Sequence, residues 1–216
     1  TLAQFMALLL TMLLAVLLGM GMPAVPAYIN AALLMGPVLA GLGLSLFTAH
    51  MFIFYFAVAS AITPPVAIAA FAAATITRAE PMATAFSAVK SGIVMFVVPF
   101  IFAFYPELLL IIEAVLDPRS PGGTGYLSGY DGQARLAALA LLLARLVAAL
   151  YLISSALAGY DRRSLSAWEV ICRLGLAVLL LIKIEEVWIC AAIASLALVV
   201  WHARSAREHL PPSEAR

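Results

Sequence analysis

Long apolar runs separated by short polar breaks occupy most of this sequence, and they limit the folds open to it. Of its 216 residues, 65% are hydrophobic and 11% are charged. Soluble domains carry about 25% charged residues, so this chain has less than half their share. A helix needs about 20 apolar residues to cross the hydrocarbon of a bilayer. The sequence therefore predicts an all-α, polytopic membrane protein surrounded by lipid.

Charge and cysteine content exclude several other classes. The net charge of +1 leaves no basic patch for phosphate contacts, so no nucleic acid partner is expected. Cys172 and Cys190 show no metal-type spacing, and we expect them to pack inside helices as small hydrophobic residues. The chain begins at Thr1 without a charged leader or cleavage site. We read it as a piece of a longer protein.

The first apolar stretch is interrupted by GMGMP at residues 19–23. Residues 2–18 and 24–41 are both apolar, and the glycines with Pro23 form a tip too tight to join two spans that face opposite sides. We predict a re-entrant helical hairpin over 2–41 that enters and leaves the membrane on one side. A single kinked helix would give the same pattern.

A second interruption, SAITPPVA, divides the next apolar stretch. We predict one discontinuous transmembrane helix over 45–77, with a break at the Pro64–Pro65 pair, because proline removes a backbone donor and clashes with the preceding turn. The polar segment 77–90 is predicted as an amphipathic surface helix, followed by a span over 91–105.

The composition changes after residue 116. Segment 117–133 reads as a loop, and 134–204 as a C-terminal transmembrane extension with a polar turn at 161–164. The charged residues at 183–186 predict a division of 168–201 into two shorter helices. Residues 205–216 form a polar tail. Charge bias does not settle which side of the membrane each loop occupies.

The two breaks at residues 19–23 and 60–66 indicate binding of an ion or an anionic substrate as well as a change in helix direction. Unpaired backbone groups survive in a membrane only where they face protein or a wet cavity, and secondary transporters use discontinuous helices to bind ions and anionic substrates. Pro64 and Pro65 leave the carbonyls of Ala61 and Ile62 without helical partners, and nearby hydroxyls add neutral oxygens suited to a hard cation. The alternative is a proline kink that only shapes packing, with Ser60 and Thr63 bonded back to the helix.

The order GMGMP, AYI, HMFIFYFAVASAITPPVA and VPFIFAFYPELLL resembles the large membrane subunit of TRAP transporters, and is most similar to the fused permeases that work with TAXI-type binding proteins. The resemblance covers residues 2–112, with ITPPV as its most specific motif. It implies that residues 1–116 are the second repeat of an elevator-type ion transporter, and that the rest of the fused permease lies N-terminal to this chain.

The resemblance also implies where sodium and substrate bind. The matching positions are Gly19, Met20, Gly21, Met22 and Pro23 in the hairpin tip, and Ser60, Ala61, Ile62, Thr63, Pro64, Pro65 and Val66 in the broken helix. Relatives commonly have threonines after GMGMP, whereas Ala24 and Val25 stand here. Tyr28 and Asn30, which follow the tip, either line the cavity or form contacts between helices.

The expected function follows from the resemblance. It implies a multi-pass permease of a bacterial or archaeal inner membrane, with sodium as coupling ion, no other metal or cofactor, a periplasmic TAXI-type binding protein as partner, and a small organic anion, such as a carboxylate, as substrate. No enzymatic chemistry is implied. The alternative is a non-transporting membrane scaffold subunit.

Ionisable residues inside apolar stretches are functional candidates by default. His50 would need a nucleophile and an orienting acid to serve an intramembrane hydrolase, and no carboxylate occurs in residues 1–79. We expect it to be a packing or interfacial residue, with a pH-linked role as the alternative. A structural role is also expected for the remaining candidates, which are Arg145, Lys183, Glu185 and Glu186.

Overall fold

A computed structural model describes residues 2–109, 136–161, 163–182 and 184–208. These residues are almost entirely helical, as predicted. The helices are α1 (Leu2–Gly19), α2 (Ala24–Gly41), α3 (Leu46–Ala59), α4 (Ile68–Thr77), α5 (Pro81–Ser91), α6 (Val94–Phe104), α7 (Leu136–Ala158), α8 (Ala167–Leu180) and α9 (Glu185–Glu208). The chain divides into two compact units, residues 1–139 and 140–216.

Five helical segments among the described residues are long and apolar enough to cross a membrane. They are Leu2–Gly19, Ala24–Gly41, Pro81–Phe104, Ala137–Ala158 and Glu185–Ser205. The prediction of an all-helical, polytopic membrane protein is confirmed.

Helix α3 lies at the centre of the first unit and packs against α1, α2 and α6. Its buried face carries Phe52, whose ring meets that of Phe56 at 4.9 Å and that of Phe100 at 5.3 Å. Both pairs have the edge-to-face arrangement that aromatic quadrupoles favour. Helix α3, which leads into the predicted break, is therefore fixed by contacts with three other helices.

The segment at residues 19–23 separates two helices rather than kinking one. Helix α1 ends at Gly19, α2 begins at Ala24, and the two helices pack against each other. Gly21 has φ = 85°, a left-handed conformation that glycine adopts without steric cost. Each arm has 18 residues, or about 27 Å of helix. Whether the tip stops inside the bilayer remains a prediction.

The discontinuous helix breaks at the predicted place. Helix α3 starts at the Ser45 cap, whose hydroxyl oxygen accepts a hydrogen bond from the Thr48 N–H at 3.0 Å. A 3-10 turn at Ser60–Ile62 follows α3, and the α-helix resumes only at Ile68. Helix α4 ends at Thr77, and its C-cap residue Arg78 has φ = 57°, a left-handed conformation.

Helix α5 is largely exposed and contacts α4 through small alanines. It lies within the candidate span Pro81–Phe104, so the surface position expected for residues 77–90 stays a prediction. Its first turn is capped by Glu80, which accepts a hydrogen bond from the Met82 N–H at 3.0 Å and another from the Ala83 N–H.

The second unit is built from α7, α8 and α9. Its polar turn is a small hairpin of two-residue antiparallel strands, β1 (Tyr160–Asp161) and β2 (Arg163–Ser164). Helices α8 and α9 are separated as predicted, with Glu185 and Glu186 in the first turn of α9. Helix α9 runs to Glu208, so the polar tail predicted from residue 205 begins as helix. Lys183, residues 209–216 and the loop predicted at 117–133 lie outside the described residues.

The prediction for the cysteines was wrong. Cys172 on α8 and Cys190 on α9 are both exposed. Packing in this unit covers only one face of each of these helices, and both thiols lie on the uncovered faces. Apolar character alone could not show which face a residue occupies.

Candidate ion and substrate site

The hairpin tip lies directly after the buried end of α1. Gly19 is buried, Met22 is half-buried, and Gly21 and Pro23 are exposed. Pro23 precedes α2 and provides no side-chain cap for its first N–H groups. The tip therefore presents backbone rather than polar side chains.

The proline pair leaves carbonyl oxygens free in the broken helix. The Ser60 carbonyl accepts a 3-10 hydrogen bond from the Thr63 N–H at 3.1 Å. The next two carbonyls, of Ala61 and Ile62, accept no hydrogen bond from any residue that the structure describes. For Ala61 the reason is direct, because the residues three and four positions later are Pro64 and Pro65, which have no N–H.

The hydroxyls beside the break are bonded back to α3. Ser60 Oγ donates to the Ala57 carbonyl at 2.6 Å, and Thr63 Oγ1 donates to the Ala59 carbonyl at 2.8 Å. This is the arrangement expected of a simple kink. A hydroxyl oxygen that donates its proton still keeps lone pairs for another partner, so the half-buried Thr63 retains a free face as an acceptor.

The tip and the break meet at Gly19 and Ser60. A Cβ placed on Gly19 would lie 2.2 Å from Ser60 Oγ and 2.6 Å from Ser60 Cβ. Real Cβ atoms do not approach so closely, so only glycine allows the end of α1 to rest on the break. Ser60 is 2% exposed, and its side chain packs against Gly19.

The atoms around the break fit a hard monovalent cation better than a transition metal. Neutral carbonyl and hydroxyl oxygens are available at Ala61, Ile62 and Thr63, and unwound carbonyls of this kind coordinate sodium in transporters. Within the described ranges there is no group of three or more His, Cys, Asp or Glu that could hold a metal ion. Pro64 is half-buried, and Pro65 and Val66 are exposed beside these oxygens.

Tyr28 belongs to a contact between helices. Its hydroxyl is 2.8 Å from His50 Nδ1, and its ring meets the ring of Phe54 edge-on at 5.8 Å. Asn30 is exposed on α2. Of the two roles considered for Tyr28, the geometry favours the packing role, and His50 takes part in the same contact.

Residues 1–115 match the protein family described as Tripartite ATP-independent periplasmic transporter, DctM component. The matched region is just over half of the 216 residues and contains both the tip and the break. The chain belongs to this family. No curated protein and no solved structure gives a significant match.

Membership in the DctM family makes the chain a membrane permease component of a TRAP transporter. The family implies a multi-pass position in a membrane and a periplasmic binding protein as partner. The elements that carry the tip and the break, α1 to α4, all lie in the matched residues.

Sequence reasoning missed a buried ionic cluster in the part of this DctM-family chain beyond residue 115. Glu169 Oε1 lies 2.8 Å from His202 Nδ1 and 3.1 Å from Arg163 Nη2. Arg173 Nη2 lies 2.8 Å from Asp161 Oδ2, and its Nη1 donates to Ser155 Oγ at 2.6 Å. The Ser166–Glu169 capping box is a recognisable signal. No sequence pattern near His202 indicates that its side chain bonds Glu169, 33 positions earlier.

The cluster holds its carboxylates in the charged form. Burial by itself would raise the pKa of the Glu169 carboxyl, but hydrogen bonds from Ser166 and His202, together with the charge of Arg163, lower it to about 2. Burial likewise opposes ionisation of Asp161, but hydrogen bonds from Tyr151 and Arg173 bring its pKa below the ordinary value. These are structural ion pairs that join the turn to α8 and α9.

Arg145, weighed as a structural residue, caps a helix end. Its Nε and Nη2 donate to the Leu180 carbonyl at 3.0 and 2.7 Å, and Nη2 also donates to the Ile182 carbonyl at 2.9 Å. The guanidinium lies 4.6 Å from the centre of the Trp188 ring. Glu185 and Glu186 are exposed.

Proposed function

We propose that this chain is the part of a sodium-coupled permease that carries the ion-binding break, and that the permease imports small organic anions. The observation that carries the proposal is the contact between Gly19 and Ser60. It brings the predicted hairpin tip against an unwound segment with free carbonyls, and secondary transporters use unwound segments of this kind for coupled binding.

Sodium is the coupling ion in this proposal. The carbonyls of Ala61 and Ile62 and the hydroxyl of Thr63 would hold it, while Ser60 positions the tip. A bound sodium ion would supply the positive charge that these oxygens otherwise lack in a medium of low polarity. Ala24 and Val25 add no hydroxyl, so the tip's contribution is limited to its backbone.

The anionic substrate class is supported by two helix N-termini. Helices α2, α4 and α6 have N-cap residues that provide no side-chain cap, namely Pro23, Ala67 and Ile93. Of these three, only α2 and α4 directly follow the tip and the break. Uncapped N–H groups and the positive end of the helix dipole favour an anion. A small carboxylate fits this chemistry.

The finer assignments rest on the motifs of the sequence. We propose a TAXI-type binding protein as the periplasmic partner, a fused permease as the whole protein, and the inner membrane of a bacterium or archaeon as its location. Transport without covalent chemistry is proposed, so no catalytic residue is assigned.

The test is uptake by the whole permease in proteoliposomes, with its binding protein added on the outside. A screen of radiolabelled small carboxylates should find at least one that accumulates only when sodium is higher outside. Accumulation that ignores the sodium gradient would overturn the sodium assignment. A permease that carries no carboxylate, yet still assembles stably with other membrane subunits, would instead favour the scaffold function.

A further inference from the structure

Two exposed tryptophans and an arginine form one surface at the end of the second unit that bears the β1–β2 turn. Trp168 on α8 and Trp201 on α9 are 51% and 47% exposed, and their rings lie 5.6 Å apart. The Arg163 guanidinium lies 5.6 Å from the centre of the Trp201 ring. We call Trp168, Trp201 and Arg163 the tryptophan surface.

The protein directly behind this surface is polar. Glu169, next to Trp168, and His202, next to Trp201, are bonded to each other and almost completely buried. The neighbouring helix faces carry exposed apolar residues such as Ile171 and Val178. A tryptophan pair at the junction of polar and apolar protein is typical of the membrane–water interface, where the amphipathic indole ring is most stable.

The opposite end of α8 lies at a different depth. Helix α8 has 14 residues, or about 21 Å of length, whereas the hydrocarbon is about 30 Å thick. Trp188 precedes Trp201 by 13 positions on the same helix, which places it about 20 Å below the tryptophan surface. If Trp168 and Trp201 lie at one surface of the bilayer, the C-terminus of α8 therefore lies about 10 Å below the opposite surface of the hydrocarbon.

The bonds of Arg145 agree with a break below the surface. Helix C-termini at the water interface have their last carbonyls solvated by water, but the carbonyls of Leu180 and Ile182 receive three hydrogen bonds from a guanidinium. In hydrocarbon such groups require a partner from the protein. Helix α7 also continues as apolar residues for nine positions before Arg145, at 136–144, so the hydrocarbon extends past the break.

The exposed carboxylates fit the same placement. Glu185 lies 16 positions before Trp201 on α9, or about 24 Å away along the axis. Its side chain extends toward the N-terminus of the helix, which is the direction of the nearer surface. A few ångströms of local bilayer thinning give it access to water, at modest cost.

We propose that the tryptophan surface binds the phospholipid headgroup layer, and that the C-terminal end of α8 lies inside the hydrocarbon, where Arg145 replaces water at the carbonyls of Leu180 and Ile182. Only the membrane position of the chain is needed for this, so it is independent of sodium coupling.

The three tryptophans of this sequence serve as depth probes. Each of three variants keeps one of Trp168, Trp188 and Trp201, with the other two replaced by Phe. The whole permease, with any tryptophan elsewhere also replaced by Phe, is reconstituted into phosphatidylcholine vesicles brominated at shallow or deep acyl positions. Trp168 and Trp201 should be quenched most by shallow bromines and Trp188 most by deep ones. Shallow quenching of Trp188 would overturn the depth of the turn. Quenching of Trp168 and Trp201 by aqueous iodide, without any effect of the brominated lipids, would overturn the headgroup contact.

A cysteine variant tests the depth without replacing any tryptophan. In a background with Cys172 and Cys190 replaced by Ala, Leu179→Cys, in the last turn of α8, should not react with a membrane-impermeant maleimide from either side. Ser164→Cys, at the exposed β2 strand, is the positive control. Labelling of Leu179→Cys from the side opposite to Ser164→Cys would place the end of α8 in water and contradict the proposal.

Discussion

Gly19 and Ser60, which are 41 positions apart, touch so closely that a methyl group on Gly19 would lie 2.2 Å from the serine oxygen. The contact joins the end of α1 to the 3-10 turn after α3. Since it depends on a missing side chain, it can be tested by adding one and then removing its neighbour.

Gly19→Ala should destabilise the protein by about 1–3 kcal/mol, the usual cost of overpacking, and should lower the melting temperature in detergent. Adding Ser60→Gly should restore most of the loss, because it removes both atoms that the new Cβ meets most closely. Gly36→Ala is the control, since its Cβ would meet only His50 Nε2, at 4.0 Å. A double variant no more stable than Gly19→Ala would show that Ser60 is not the obstacle.

Thr63→Val should reduce sodium affinity several-fold in the uptake assay, corresponding to about 1 kcal/mol for one neutral oxygen. Thr75→Val is a matched control, because Thr75 Oγ1 also bonds back to a carbonyl four residues earlier, at 3.0 Å, and lies away from the break. Equal effects of the two substitutions on sodium affinity would remove Thr63 from the site.

Replacement of Pro64 and Pro65 by Ala should abolish sodium-dependent uptake while the protein still expresses. The two new N–H groups can bond the carbonyls of Ser60 and Ala61 and continue the helix. Pro99→Ala, which supplies a donor inside α6, should leave sodium dependence unchanged. Full uptake at unaltered sodium affinity in the double proline variant would defeat the assignment.

Arg145→Met should lower the free energy of unfolding by about 3 kcal/mol, because the carbonyls of Leu180 and Ile182 lose charged hydrogen bonds. Arg145→Lys should recover only part of this, since an ammonium group lacks the planar fork. The exposed Arg204→Met serves as the control in the same denaturation experiment. A neutral result for Arg145→Met would mean that water reaches these carbonyls.

Acid should weaken the second unit through Glu169. Its folded pKa, about 2, lies below the ordinary value of 4.5, so its stabilising effect is complete above about pH 4.5 and is lost as the pH falls toward 2. The loss is on the order of 3 kcal/mol. Unfolding measured from pH 6 to pH 2 should show a shallower dependence in Glu169→Gln than in the wild type. Parallel curves for wild type and Glu169→Gln would contradict the ionised pairing.

The sequence predicted the positions of the breaks because glycine and proline act locally. The interruptions at 19–23 and 60–66 follow from missing donors and from φ angles that few residues adopt. Local pattern could not show that Gly19 rests on Ser60, since that depends on how α1 turns toward α3. The same limit applied to Cys172 and Cys190, whose exposure depends on helix rotation, and to His202, whose partners in the β1–β2 turn and on α8 lie far from it in sequence.

The His202 contacts also set an order of events during synthesis. Before α9 is made, Glu169 can already bond Ser166 and Arg163, three and six positions earlier, so the carboxylate enters the folding protein with local partners. His202, whose Nε2 also contacts the Asp161 carbonyl oxygen, emerges from the ribosome 33 positions after Glu169 and 41 after Asp161. The turn therefore stays open on one side until α9 is complete. A nascent chain halted before residue 202 should expose the Glu169 carboxylate and the Asp161 carbonyl to the proteins that insert new membrane proteins and control their quality.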